Sequence, residues 1–128
     1  MVNHQQHYSF GLSLPHHRLV VYRKALELLA AVRAAQVTDV KLRDEALRAA
    51  KSTCLNIAAA AGRVTRADKA RAYAIARGEC VECVAAVEIA VAAGDAIAEF
   101  LPTVVSCGNE VYLMLGGLIC NRTRCSSR

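Results

Sequence analysis

The sequence predicts an all-α protein, an antiparallel up-down-up-down four-helix bundle. Three observations predict it. Ala, Leu, Arg and Lys dominate the stretch from Leu42 to Glu82, and these are among the strongest intrinsic helix formers. Within it, Leu42, Ala46, Ala49, Thr53, Ile57 and Ala60 recur at steps of three and four and draw one apolar face. Punctuation falls at short intervals. Gly62 offers a stop, Thr65 a start and Asp68 an approximate capping box three residues on.

Each element follows in order. Residues 1–17 read as a polar lead-in ending near Pro15, with residues 18–121 as the bundle. Helix one is expected from about His17 to Gln36, with Leu19, Tyr22, Leu26, Leu29 and Val32 facing inward. Thr38 is a plausible N-cap for helix two over roughly 39–61. Helix three is expected from about 66 to 93, stopping at Gly94. Its inner face should hold Ala70, Tyr73, Ala74, Arg77 by its stem, Val81, Val84, Val87 and Ala90 or Val91. Pro102 is tolerated only in a first turn, so helix four should start near Leu101. Leu101, Val104, Val105, Val111, Tyr112, Leu115, Leu118 and Ile119 form its apolar side, and Gly108, Gly116 and Gly117 suit close helix approach. Residues 122–128 read as a polar tail.

Hydrophobic residues make up 55% of the 128 residues, but aromatic residues only 5%, with no tryptophan. Much of the apolar content is alanine, which buries little area per residue and lets helices pack closely over long interfaces. That pattern points to burial completed by contact between subunits. The start lacks the apolar stretch of a secretory signal. Glu110 interrupts the apolar segment from Phe100 to Asn121, leaving less than the ~20 residues a spanning helix needs. A cytoplasmic location with no membrane partner is expected, with the six cysteines reduced.

Charge is divided unevenly. Residues 1–78 hold thirteen Lys/Arg and five acids, whereas residues 79–121 hold six acids and no Lys/Arg. Such asymmetry brings a basic surface to nucleic acid or pairs oppositely charged faces between subunits.

Several segments resemble a known family. They are Ser52, Asn56, Ile57, Ala58, Ala61, Gly62 and Arg63 in the pattern SxxxNIAxxAGR, the later Ile75–Glu82, the terminal Val111–Ile119 and the opening Leu19–Leu28. Together they are similar to the four-helix-bundle proteins related to the protein encoded within the intervening sequence of bacterial 23S rRNA. The resemblance implies a homopentamer and no enzymatic activity. It also implies a nucleic-acid connection through some relatives, including basic accessory proteins that partner a reverse transcriptase. Ser52, Asn56, Gly62, Arg63 and Glu82 are the family-motif positions. Ala59 and Ala60 stand where the family usually has an acid and a glycine, and Glu79 stands where a serine is common.

The candidate nucleic-acid site is Arg63, Arg66, Lys69 and Arg71 at the turn between helices two and three. Four cations there, repeated around a ring, would form a phosphate-binding collar. Asp68 dilutes it, and no aromatic interleaving accompanies it. Helical rise places Arg48 level with Glu79 as a cross-helix ion pair and keeps Asn56 about 15 Å from Glu82. Ser52 and Asn56 share one face and suit register or assembly. Cys80 and Cys83 have CxxC spacing but sit mid-helix, away from the helix N-terminus that would stabilise a thiolate, and one such pair falls short of four zinc ligands. The histidines at 4, 7, 16 and 17 all lie in the lead-in. No metal, cofactor or catalytic residue is expected, since phosphate-loop, nucleophile-elbow and metalloprotease motifs are missing from the sequence. The expected function is a non-enzymatic oligomeric bundle that binds RNA or a nucleic-acid-processing protein. The alternative is a protein–protein assembly scaffold without nucleic acid.

Overall fold

The computed structural model describes the backbone of residues 14–126 and the side chains of residues 14–121. The lead-in up to residue 13, with His4 and His7, lies outside the described residues. Four helices carry the chain: α1 (Val20–Ala34), α2 (Val40–Ala61), α3 (Arg66–Ala92) and α4 (Leu101–Ser126). Short 3-10 turns stand at Pro15–Arg18 and Ala98–Phe100, and no strand occurs among the described residues. α2 packs on α3, α3 on α4, and α1 on both α2 and α4, which closes a bundle.

The starts and stops have identifiable causes. Asp39 caps α2, its carboxylate accepting from Leu42 N at 2.9 Å. Thr38, the expected cap, is used elsewhere. Its N–H and Oγ1 both donate to the Asp95 carbonyl, at 2.7 and 3.1 Å. Thr65 caps α3 by accepting from Asp68 N at 3.1 Å. α3 ends in a Schellman motif, Asp95 N to Ala90 O at 2.7 Å and Gly94 N to Val91 O at 3.0 Å. Gly94 has φ +80°, the left-handed conformation this stop requires. Ile97 N donates to Ala35 O, so the 35–38 and 95–97 connections are tied at one end of the bundle.

Two boundaries differ from expectation. α1 starts at Val20, because Pro15–Arg18 forms a separate 3-10 turn that packs on α2. α4 continues to Ser126, five residues into the segment expected as a tail.

Alanines line much of the core, with Leu28, Ile57, Tyr73, Val87, Val104, Val111 and Leu115 as its largest apolar side chains. The inner faces shift in part from those expected in three helices. In α1, Val21, Ala25, Leu28, Ala31 and Val32 are buried, while Leu19, Tyr22, Leu26 and Leu29 are only partly covered. In α3, Cys80, Cys83, Ala76 and Ala86 face inward, whereas Ala74 and Val81 are exposed. α4 buries Val104, Gly108, Val111 and Leu115 but leaves Val105 and Tyr112 each 40% exposed. A Cβ at Gly108 would run into Val84 Cγ2, whereas at Gly117 it would meet nothing, so close approach explains one of these glycines and not the other.

By length and mean hydropathy, Ala98–Asn121 does meet the requirement for a membrane span, contrary to the sequence estimate. Its buried stripe packs against the bundle, and Glu110 pairs with Lys24 at 3.1 Å. Only 22% of its most apolar window is buried, however.

Candidate nucleic-acid interface

The turn between α2 and α3 presents the four expected cations, but not as four equivalent contacts. Arg63 and Arg71 share one carboxylate. Arg63 Nε lies 3.7 Å from Asp68 Oδ2, and Arg71 Nη2 lies 3.1 Å from Asp68 Oδ1. Lys69 turns back to cap α2, its Nζ donating to Ala61 O at 2.8 Å and Ala60 O at 3.4 Å. These are carbonyls the helix end leaves unpaired, and a cation suits that end of the helix dipole. Arg66 makes no ion pair among the described residues and is exposed beside Val64, which is 93% exposed. Among the described residues, one cation is without an ion pair, two are half-neutralised by Asp68, and one is a structural cap. The Asp68 pairs are solvent-exposed and exchange easily for another anion.

A feature the sequence reading missed lies in the 3-10 turn before α1. His16 and His17 have ring centroids 4.1 Å apart, and His16 meets Tyr22 edge-on at 4.7 Å. Burial and the neighbouring His17 charge lower the His16 pKa. The signal available was His16 six residues before Tyr22, at a spacing that matches no regular helix periodicity.

The family-motif residues separate into unrelated settings. Asn56 Nδ2 donates to Ser52 O at 2.9 Å and to Ser52 Oγ at 3.0 Å, so this polar pair is satisfied within α2. Gly62 has φ −86°, which any residue adopts, and a Cβ there would make only ordinary contacts. Glu82 belongs to a network centred on Arg48. Arg48 Nη1 reaches Glu79 Oε2 at 3.1 Å, and Arg48 Nη2 reaches Glu82 Oε2 at 3.2 Å and Glu45 Oε1 at 2.6 Å. The expected Arg48–Glu79 pair is therefore present. Three carboxylates share one guanidinium, so they compete. The hydrogen bond from Arg48 lowers the Glu45 pKa, while hydrogen bonding and charge from Glu45 raise that of Glu82. Asn56 and Glu82 have different partners and do not form one site.

The CxxC thiols are core residues. Cys80 Sγ donates to Gly108 O at 3.3 Å, and burial pushes the Cys80 thiol up to about 11 and that of Cys83 to about 12. Both are protonated at neutral pH, which disfavours nucleophilic or metal-ligand chemistry.

Comparison with known proteins places the bundle in one family. Residues 17–116 match the family described as 23S rRNA-intervening sequence protein. No curated protein matches the chain significantly. Because the match spans most of the chain and covers the first three helices and much of α4, the protein belongs to the 23S rRNA-intervening sequence protein family.

Proposed function

We propose that the helices run up-down-up-down and that the chain is a non-enzymatic, cytoplasmic bundle assembling into a closed ring, five-membered as the resemblance implies. Its α2–α3 end binds the phosphate backbone of RNA. Paired positions support the antiparallel order. Arg48 meets Glu79 and Lys69 meets Ala61, so residue numbers fall along α2 as they rise along α3. Arg77 with Tyr112 and Cys80 with Gly108 follow the same rule for α3 and α4. So do Val20 beside Gly117 and Lys24 with Glu110 for α1 and α4.

That order brings the start of α1 and the last turns of α4 to the α2–α3 end. The observation that carries the reading is the charge this end collects. Among the described residues, Arg18, Arg63, Arg66, Lys69 and Arg71 stand at this end with one acid, Asp68, which pairs with Arg63 and Arg71. Repeated around a ring, such an end attracts phosphates strongly and in a salt-dependent way. RNA, alone or with a nucleic-acid-processing protein, is the partner this chemistry fits.

An electrophoretic mobility shift with single-stranded and duplex RNA tests it. The shift should weaken steeply with salt, and Arg63→Glu with Arg66→Glu should cost about tenfold or more in affinity. An unchanged shift in that variant would remove the site from these residues.

The engagement of Lys69 and Asp68 favours a second reading, an assembly scaffold that binds no nucleic acid. It is the outcome supported if the wild-type chain shifts no RNA at low salt.

A further inference from the structure

α4 is the helix whose length and hydropathy would suit a membrane, and yet its most apolar window is only 22% buried. Its exposed side forms an open apolar groove of about 600 Å³, lined by Ala98, Leu101, Pro102, Val105, Ser106 and Asn109. Ile97 and Phe100, on the turn that leads into it, are 36% and 37% exposed. Glu99, next in the chain to the lining residue Ala98, and Glu88 on α3, level with the groove's start by the Cys80–Gly108 pairing, are exposed and make no ion pair among the described residues.

The complement sits elsewhere on the same chain. At the corner where α1 passes to α2, Val40 projects with 59% exposure, and Arg33, Lys41 and Arg43 are all exposed. None of these three cations has an ion-pair partner among the described residues, where the paired cations are Lys24, Arg48, Arg63 and Arg71. Corner and groove also lie at one level, since Thr38 bonds the Asp95 carbonyl and Ile97 bonds that of Ala35.

We infer that the α1–α2 corner of one copy docks in the α4 groove of a second. Val40 enters the apolar floor, and Arg33, Lys41 and Arg43 approach Glu88 and Glu99. This rests on the assembly reading above and deepens it by naming the two faces. The contact joins different surfaces, so it is heterologous. Two different faces at one height are what a ring with its axis along the bundle brings together. Charge favours the partner: the corner's three cations outnumber its exposed acids Asp39 and Asp44, whereas Glu88 and Glu99 carry only negative charge. A second copy is favoured over a foreign protein, since the chain itself carries both halves.

The test is light scattering coupled to size exclusion at ~50 μM, with helicity and melting measured in parallel as a check on folding. Glu88→Lys with Glu99→Lys, Arg33→Glu with Arg43→Glu, and Val105→Arg alone should each lower the association constant by roughly tenfold or more. The fourfold variant that reverses both faces should reassemble. Wild-type association should also weaken with salt. Folded variants that assemble like wild type would overturn these faces while leaving the ring intact. So would fourfold reversal that fails to restore assembly. A wild-type chain that stays monomeric would sink the assembly reading itself and this inference with it. Sedimentation with phosphatidylcholine/phosphatidylglycerol vesicles that Val105→Arg abolishes would hand the groove to a membrane and overturn the proposal.

Discussion

Arg48 of α2 and Glu79 of α3 meet at 3.1 Å, and the same guanidinium also holds Glu82 and Glu45. One cation thus serves three carboxylates, which leaves an acidic excess on this surface and sets opposite pH responses within one cluster. The Glu45 pKa is lowered in the fold, so its stabilising share is present above the unfolded carboxylate pKa and is lost as pH falls through the folded value. That of Glu82 is raised, so its charged form works against folding at neutral pH and the penalty is relieved on acidification. Glu45→Gln is therefore expected to lower the melting temperature at pH 7, by an amount that shrinks as pH falls through the folded value. Glu82→Gln should raise it slightly or leave it unchanged at pH 7. Thermal melts followed by circular dichroism between pH 3 and pH 7 check both signs.

Two glycines in helices make a contrast that tests packing against propensity. At Gly108 a Cβ would overlap Val84 Cγ2, and the chain also accepts Cys80 Sγ at the Gly108 carbonyl. Gly108→Ala should destabilise by about 1–3 kcal/mol, with Val84→Ala recovering part of the loss in a double mutant. Gly78 has nothing within 4 Å of its would-be Cβ. Gly78→Ala should stabilise by about 0.5–1 kcal/mol through reduced unfolded-state freedom. Urea unfolding gives both numbers, and the same sign for the two would contradict the geometry.

The legibility of this fold varied with the kind of information each feature needed. Thr65 as a cap and Gly94 as a stop are local signals, and both hold. Thr38 and Asp39 are equally good caps in sequence. What decides between them is a carbonyl 57 residues away, that of Asp95. The expected inner face of α3 holds at Ala70, Tyr73, Val87 and Ala90 and fails at Ala74 and Val81, because alanine alternates at 70, 72, 74 and 76, so small residues border both sides and periodicity alone cannot choose. Cysteine resolves the choice only once it is treated as a small buried apolar residue, as Cys80 and Cys83 are. At the basic turn the residues were readable, but their division of labour was not. Nothing in the spacing says that Lys69 bends back to α2 while Arg66 makes no ion pair among the described residues.

The buried thiols make the fold sensitive to alkali. Cys54, Cys80 and Cys83 all carry raised values, about 11, 11 and 12 against 9.0, with burial the leading cause in each. The folded state holds these protons more tightly than the unfolded chain. Their contribution is complete below pH 9 and is lost as pH rises through the folded values. The melting temperature should fall progressively above pH 9. Native alkylation with iodoacetamide at pH 8 should modify exposed Cys120 well before Cys54, Cys80 or Cys83, as read by peptide mass spectrometry. Rapid labelling of all three buried thiols in folded protein would contradict the packing.

The unequal roles of the turn cations give a graded prediction for RNA affinity. Asp68 occupies the space between Arg63 and Arg71, so a phosphate must displace it to use either guanidinium fully. Asp68→Asn keeps the backbone N–H that Thr65 accepts and removes only the competing charge. It should tighten RNA binding about three- to tenfold and steepen the salt dependence. Arg66→Met should weaken binding most among single changes, because no internal anion shares that cation. Lys69→Met should weaken it least, yet cost about 0.5–1 kcal/mol of stability through loss of the α2 cap. Fluorescence anisotropy over a salt series, set beside urea unfolding of the same variants, separates the two effects. An Asp68→Asn chain that binds RNA no better than wild type would mean the carboxylate is not in the path of the phosphate, and that the turn's charge serves folding alone.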